Sequence, residues 1–255
     1  MKIATWNVNS IRVRLPQVLE WLSKASPDVL CLQETKITDE NFPAAAFRDA
    51  GYLAAFAGQK TYNGVATLSR VAASDCVSSL PGAPGDQKRL LAATVGDVRV
   101  INAYVPNGEA VDSEKYAYKL DWLKSLEKFL TAELKRHARL VLLGDYNIAP
   151  DDRDVHDPKR WQGQVLCSEP ERAAFQRFQG LGLTDVFRQF DQPEKSFSWW
   201  DYRGGAFQRN HGLRIDILLC SPALAADCRE CRIDIEPRKN ERPSDHAPVL
   251  ARFER

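Results

Sequence analysis

Short apolar runs recur from end to end of this chain, each closed by polar or turn residues. They fall at 2–6, 27–32, 52–56, 64–68, 91–95, 98–105, 140–143, 197–200, 214–219, 232–235 and 249–253. Their length and turn-bounded ends predict strands buried in a layered core. Between them, Tyr116, Leu120, Leu123, Leu126, Leu130 and Leu134 form a three-to-four-residue stripe that predicts a long helix over 112–137. Shorter helices are expected over 16–23 and 169–179, the latter with Pro170 in its first turn and Gly180 and Gly182 at its end. The Pro/Gly-rich stretch 80–86 reads as a surface loop joining two strands, and no longer linker interrupts the pattern. The expectation is one α/β domain over 1–255, with two packed sheets flanked by helices.

Composition narrows this picture only a little. With 44% hydrophobic and 27% charged residues the chain has the make-up of a soluble globular protein. No apolar run is long enough to cross a bilayer, and Met1-Lys2 leads straight into Ile3 without a secretory h-region, so the chain reads as cytoplasmic. A net charge of +1 removes any global basic signature, but a local basic stripe is enough to hold phosphates. Cys228 and Cys231 have CxxC spacing, yet no second pair or histidine set accompanies them, so reduced thiols are expected rather than zinc ligands.

The chemistry lies in how the apolar runs end. Asn7 follows the first, Gln33-Glu34 the second, and Gly144-Asp145-Tyr146-Asn147 the run at 140–143. Asp245-His246 precedes the last run, and Asp216 sits inside another. A carboxylate in or beside a core strand is costly to desolvate unless it is paired or metal-bound. If these strand ends share a rim, they form a cluster of hard oxygen ligands suited to Mg²⁺ or Mn²⁺. Scattered structural ion pairs are the alternative. Of four histidines, His246 alone stands beside both an acid and a strand. Asp216 is a candidate to orient it and favour its cationic form, against the plainer reading of a histidine capping a turn before Pro248.

At these residues the chain resembles a known family. Residues 27–36 (Pro-Asp-Val-Leu-Cys-Leu-Gln-Glu-Thr-Lys) and 210–221 (Asn-His-Gly-Leu-Arg-Ile-Asp-Ile-Leu-Leu-Cys-Ser) resemble two signatures of the exonuclease III family of repair nucleases and abasic-site endonucleases. Trp6-Asn7-Val8-Asn9, Tyr62-Asn63-Gly64-Val65, Asn102-Ala103-Tyr104-Val105-Pro106, Gly144–Asn147 and Ser244-Asp245-His246 match in order around them. The resemblance implies a DNase I-like, four-layer α/β sandwich with its site at one rim of two packed mixed sheets. It further implies a Mg²⁺-dependent DNA phosphodiesterase of base excision repair, with Mn²⁺ able to substitute. The enzyme would work as a monomer on damaged or abasic duplex, cutting at abasic sites, at 3′ ends, or both. Glu34 would bind the metal with Asn7 and Asp245 nearby, and Asp145 would orient or deprotonate the attacking water. Asn147, Tyr104 and His246 (paired with Asp216) would contact the phosphate, and Trp199 would pack against the sugar and base beside the cut.

Basic residues near the motifs include Lys36, Arg89, Lys115, Arg209 and Arg214, which with Asn63 are candidate DNA contacts. Ordinary solvated side chains are the alternative for each. The aromatic group Phe197, Trp199, Trp200, Tyr202 and Phe207 is too dense for one core strand, so about half is expected in the core and the rest on a DNA-facing surface. One departure from the family pattern is Val186, in 184–189, where a hydroxyl is usual. Related metal-dependent phosphodiesterases acting on RNA or phosphorylated small molecules share this constellation, and an inactive binding module would lack part of it.

Overall fold

A computed structural model describes residues 1–254. In chain order the strands are β1 (Lys2–Asn7), β2 (Val29–Gln33), β3 (Leu53–Ala57), β4 (Val65–Ser69), β5 (Ala73–Val77) and β6 (Leu90–Val95). They continue as β7 (Val98–Tyr104), β8 (Leu140–Asp145), β9 (Thr184–Asp185), β10 (Asp216–Cys220), β11 (Cys228–Ile233) and β12 (Val249–Phe253). The helices that matter here are α1 (Ile11–Ala25), α2 (Ala44–Asp49), α3 (Glu114–Arg136), α4 (Pro158–Trp161) and α5 (Glu169–Gly180).

The strands form two six-stranded mixed sheets, ordered β11-β12-β1-β2-β4-β3 and β5-β6-β7-β8-β10-β9. Alternation along each central strand explains the layering, because successive side chains point to opposite faces. Ile3, Val29, Val141, Leu143 and Leu218 face inward and pack the two sheets together. Their neighbours Ala4, Trp6, Leu30 and Leu32 face α1 and α2. On the other side Leu140, Leu142, Ile217 and Leu219 face α3 and α5. Helices, sheet, sheet, helices: the result is the four-layer α/β sandwich. Both faces of the central strands are covered, which is why 29–32, 140–143 and 217–220 run apolar without a gap. Among the described residues no helix is long and apolar enough to cross a membrane.

The long helix falls where its stripe predicts, and its shorter partner where Pro170 and the closing glycines do. Ser113 caps α3 through the Tyr116 amide, and Ser168 with Glu171 forms a capping box on α5. Elsewhere the structure corrects the pattern. Helix α1 begins at Ile11, with Pro16 inside it rather than at its start. Residues 197–200 form no strand; Trp199 makes only single bridges to Leu213 and His246. There Ser198 Oγ accepts the Ile215 and Asp216 amides, so a side chain takes the place of a backbone ladder. This also delays β10 until Asp216. The Cys228–Cys231 pair lies within β11, where a register shift puts both thiols into the buried layer between the sheets. All six cysteines are free.

Arg214 is the main correction among the candidate DNA contacts. It is buried, and its guanidinium bonds to Asp185 Oδ2 at 2.7 Å and to Asp154. Arg188 also binds Asp154. This network fixes the loop after β8 to β9 and cannot reach a ligand. Breaking one side of a buried pair strands the other, so Arg214→Met is expected to cost about 3–5 kcal/mol in urea denaturation. A cost under about 1 kcal/mol would show that Asp154 and Asp185 find other partners.

Candidate active site

Strand register brings the acids together. Asn7 ends β1 opposite Gln33, the residue before Glu34, in one sheet. In the other, Asp145 ends β8 with Tyr104 of β7 on one side and Asp216 of β10 on the other. Ser244-Asp245-His246 enters the same rim just before β12, and Ser244 Oγ donates to Asn7 O at 2.7 Å. Gly144 allows this approach. At φ +141, a Cβ there would lie 1.9 Å from the Ala103 carbonyl oxygen, so only glycine can precede Asp145. Glu34 and Asn147 also sit at positive φ (52 and 47), a strain retained at the rim.

Asn7 is the hinge of the cluster. Its Nδ2 donates to Glu34 Oε1 at 2.8 Å and to Asp145 Oδ2 at 2.9 Å, joining the two sheets. His246 Nδ1 bonds to Asp216 Oδ2 at 2.9 Å, while its Nε2 lies 3.7 Å from Asp145 Oδ2. Ser198 Oγ donates to that same Asp216 oxygen at 2.7 Å. Asp145 Oδ1 accepts the Asn147 amide at 2.9 Å. Asn147 Nδ2 donates to Val105 O at 3.0 Å and, at 3.3 Å, to Asp145 Oδ2. Oxygen or nitrogen atoms of Glu34, Asp145 and His246 all lie within 4.8 Å of one another.

The remaining candidates line this centre at different depths. Asp245 is not one of those three: it accepts from Trp199 Nε1 and Asn9 Nδ2, each at 3.0 Å. Tyr104 is buried beneath the Arg89 guanidinium, which lies 4.6 Å from its ring centre. Lys36 reaches Glu34 Oε2 at 2.8 Å. Asn63 is buried against Gln59 and Gln87. Lys115 is solvent-exposed and paired with Glu109. Arg209 is exposed and donates to Gly204 O. In the aromatic group, Phe197 and Trp200 are core, whereas Tyr202 is 52% exposed.

Electrostatics distinguish the carboxylates. Burial works to raise Glu34, but the Lys36 ammonium and the Asn7 amide hold it below its usual range. Asp245 is likewise held low against burial by His246, Trp199 and Asn9. Burial pushes Asp145 up, outweighing the pull of His246, and neighbouring Asp216 and Glu34 add to the rise. For His246 burial favours the neutral ring, yet Asp216 and Asp145 overcome it and raise the imidazole to about 10. Four carboxylates thus share the rim with two cationic side chains, His246 and Lys36. The excess negative charge and the all-oxygen set fit a hard divalent cation beside Glu34 and Asp145.

Two residues here escaped the sequence reading. Asn107 Nδ2 donates to Asn147 Oδ1 at 3.0 Å, yet Val-Pro-Asn-Gly reads only as a turn. Ser198 lies among aromatics that hid it.

An acidic rim, a carboxylate-held histidine and two packed sheets define a metal-dependent phosphoesterase class, and the chain belongs to the endonuclease/exonuclease/phosphatase family, whose pattern matches residues 4–246. Exodeoxyribonuclease III of Haemophilus influenzae is 37% identical over 99% of this chain and 100% of its own length. Among solved structures, the 3′-5′ exonuclease NExo from Neisseria meningitidis superposes with a TM-score of 0.98 at 52% identity, covering 100% of both chains. An AP endonuclease from Archaeoglobus fulgidus gives 0.96 at 43%, again covering 100% of both.

Because His246 is raised, its proton adds stability that is fully present below the ordinary imidazole value and lost as pH climbs through about 10. NMR of the ring should show that late titration in metal-free protein, and Asp216→Asn should bring it down by at least about one unit. An unmoved titration in that variant would remove Asp216 as the group holding the ring.

Proposed function

We propose that this chain, as one catalytic domain over 1–255, is a Mg²⁺-dependent DNA phosphodiesterase cutting at abasic sites, at 3′ ends, or both. The observation that carries the reading is the convergence of Glu34, Asp145 and the Asp216-held His246 on one point. Its relatives' names support DNA as the substrate: one is an exodeoxyribonuclease, one an AP endonuclease, and NExo is also known bound to a product DNA hairpin as a 3′ phosphatase.

A phosphodiester resists attack because its anionic oxygens repel a nucleophile and its alkoxide leaves poorly. Glu34 would hold the cation, with Asn7 and Asp245 shaping its surroundings; Mn²⁺ should serve in place of Mg²⁺. Bound there, the cation supplies Lewis-acid charge to the phosphoryl group. The protein's own side chains do the rest. Asp145, bonded to the Asn7 and Asn147 amides, orients a water and accepts its proton. Protonated His246 donates from Nε2 toward a phosphoryl oxygen, its Nδ1 being fixed on Asp216. The long Asn147–Asp145 bond is the one a phosphoryl oxygen can displace, which frees an amide hydrogen for it. Tyr104 stays a neutral donor, since burial holds its hydroxyl well above the usual range. Lys36, Arg89, Lys115 and Arg209 would meet backbone phosphates, with Asn63 and Trp199 facing the duplex near the cut.

Labelled abasic duplex and nicked duplex, each with Mg²⁺ or EDTA and beside an inositol polyphosphate, test this directly. DNA cleavage that EDTA abolishes is expected; a single incision product marks endonuclease and a ladder marks exonuclease. Cleavage surviving the chelator, or phosphate release from the inositol compound alone, would reject it. Asp145→Asn and His246→Ala are each expected to fold normally and lose at least ~100-fold in turnover.

A further inference from the structure

One fully buried charge has no part in the chemistry above. Lys119, on α3, pairs with Glu171 of α5, and both side chains are 0% exposed. Its Nζ also donates to the backbone carbonyl of Asn147 at 2.6 Å and to that of Asn107 at 3.0 Å. An ammonium has three hydrogens, and these three partners match them. Asn107 and Asn147 are the residues whose side-chain amides meet at 3.0 Å on the rim. Both carboxylate oxygens are engaged: Oε1, which takes Lys119, also accepts the Leu166 amide at 3.0 Å, and Oε2 accepts the Ser168 amide at 3.0 Å.

Packing alone does not call for such a pair. Apolar side chains of similar volume in place of a buried ion pair often leave stability unchanged or improved. What they cannot do is hold two carbonyls at fixed points behind two amides. The backbone at Asn147 is left-handed (φ 47), a conformation that persists only where its surroundings over-determine it.

We infer that Lys119, held by Glu171, is a positioning residue for the phosphodiester reaction, fixing the backbone of Asn107 and Asn147 so that their amides are set before substrate arrives. Lys119 does not touch the substrate and acts through the two asparagines. The inference rests on the nuclease reading for its kinetic consequence, and on geometry alone for its structural one. Misplacing pre-set donors weakens the transition state more than the bound ground state, so turnover falls while KM changes little.

The decisive variant is Lys119→Met with Glu171→Gln, which neutralises both partners and keeps glutamine at a position of the capping box where it serves. Measured together are thermal unfolding, backbone hydrogen exchange at 105–109 and 146–148, and steady-state kinetics on nicked and abasic duplex. Expected are near-normal melting, exchange at those amides faster by about tenfold, kcat lower by about 10–100-fold and KM within about threefold. Glu171→Gln alone, the milder change, should speed exchange at the same amides and lower kcat, each by about threefold or more. Asn107→Ala combined with Lys119→Met should lose less kcat than the product of the single losses, because one acts through the other. Wild-type exchange at both segments, fully multiplicative kcat losses, or a loss confined to KM would overturn the inference. If the wild-type chain cut no DNA, the nuclease reading would fall and hydrogen exchange would still decide whether Lys119 positions the two segments.

Discussion

The rim gathers more negative charge than its own side chains neutralise, in a place with little water to screen it. Most features of the site follow from that single imbalance. Burial pushes Asp145 toward the protonated form, Asp216 and Glu34 add to the push, and His246 opposes it only in part. His246 keeps its proton because two carboxylates face it from opposite sides of the ring. Lys36 folds onto Glu34 for the same reason. A divalent cation would relieve all three at once, restoring Asp145 to its ionised form. The protein therefore carries its site as an unfavourable charge arrangement, held in place by packing.

That packing is supplied by strand register. Asn7 bridges Glu34 and Asp145 only because β1 and β8 belong to sheets packed face to face with their ends aligned. Sliding either strand by one residue would turn Asn7 or Asp145 to the opposite face. The buried apolar alternation of both central strands forbids such a slip, so the core that stabilises the fold is also what fixes the chemistry. Gly144 belongs to the same constraint, since a side chain there would force β8 away from Ala103 and take Asp145 with it.

How much of this the sequence disclosed depended on whether a residue's role left a periodic or chemical trace. Buried strands and the stripe of α3 did, and so did acids closing apolar runs, because an acid there has few bland explanations. Edge strand β5 left none: its Ser74, Asp75 and Cys76 are exposed and polar, so nothing distinguishes it from a loop. The aromatic run 197–200 gave the opposite error, looking like a strand while its backbone bonds to Leu213 and Asp245 stay isolated and Ser198 Oγ takes the next two amides, of Ile215 and Asp216. Asn107 and Lys119 were invisible for a deeper reason. Their significance lies in bonds between segments far apart in the chain, which no spacing encodes.

Arg214 shows the same limit from the side of charge. From sequence, an arginine one strand repeat from Asp216 is as plausible a phosphate contact as Arg209. Burial separates them, because a guanidinium with no water must find carboxylates, and Asp154 and Asp185 provide them. Counting basic residues near a motif therefore overstates the surface available to DNA. With a net charge of +1, little general attraction compensates, so affinity has to come from a few correctly placed cations. Lys36 is the most exacting of these, since the ion pair that holds it on Glu34 competes with the cation that Glu34 is proposed to bind. Were Glu34 to hold a cation, the Lys36 ammonium would have to give up Oε2 and keep only Asn9 Oδ1.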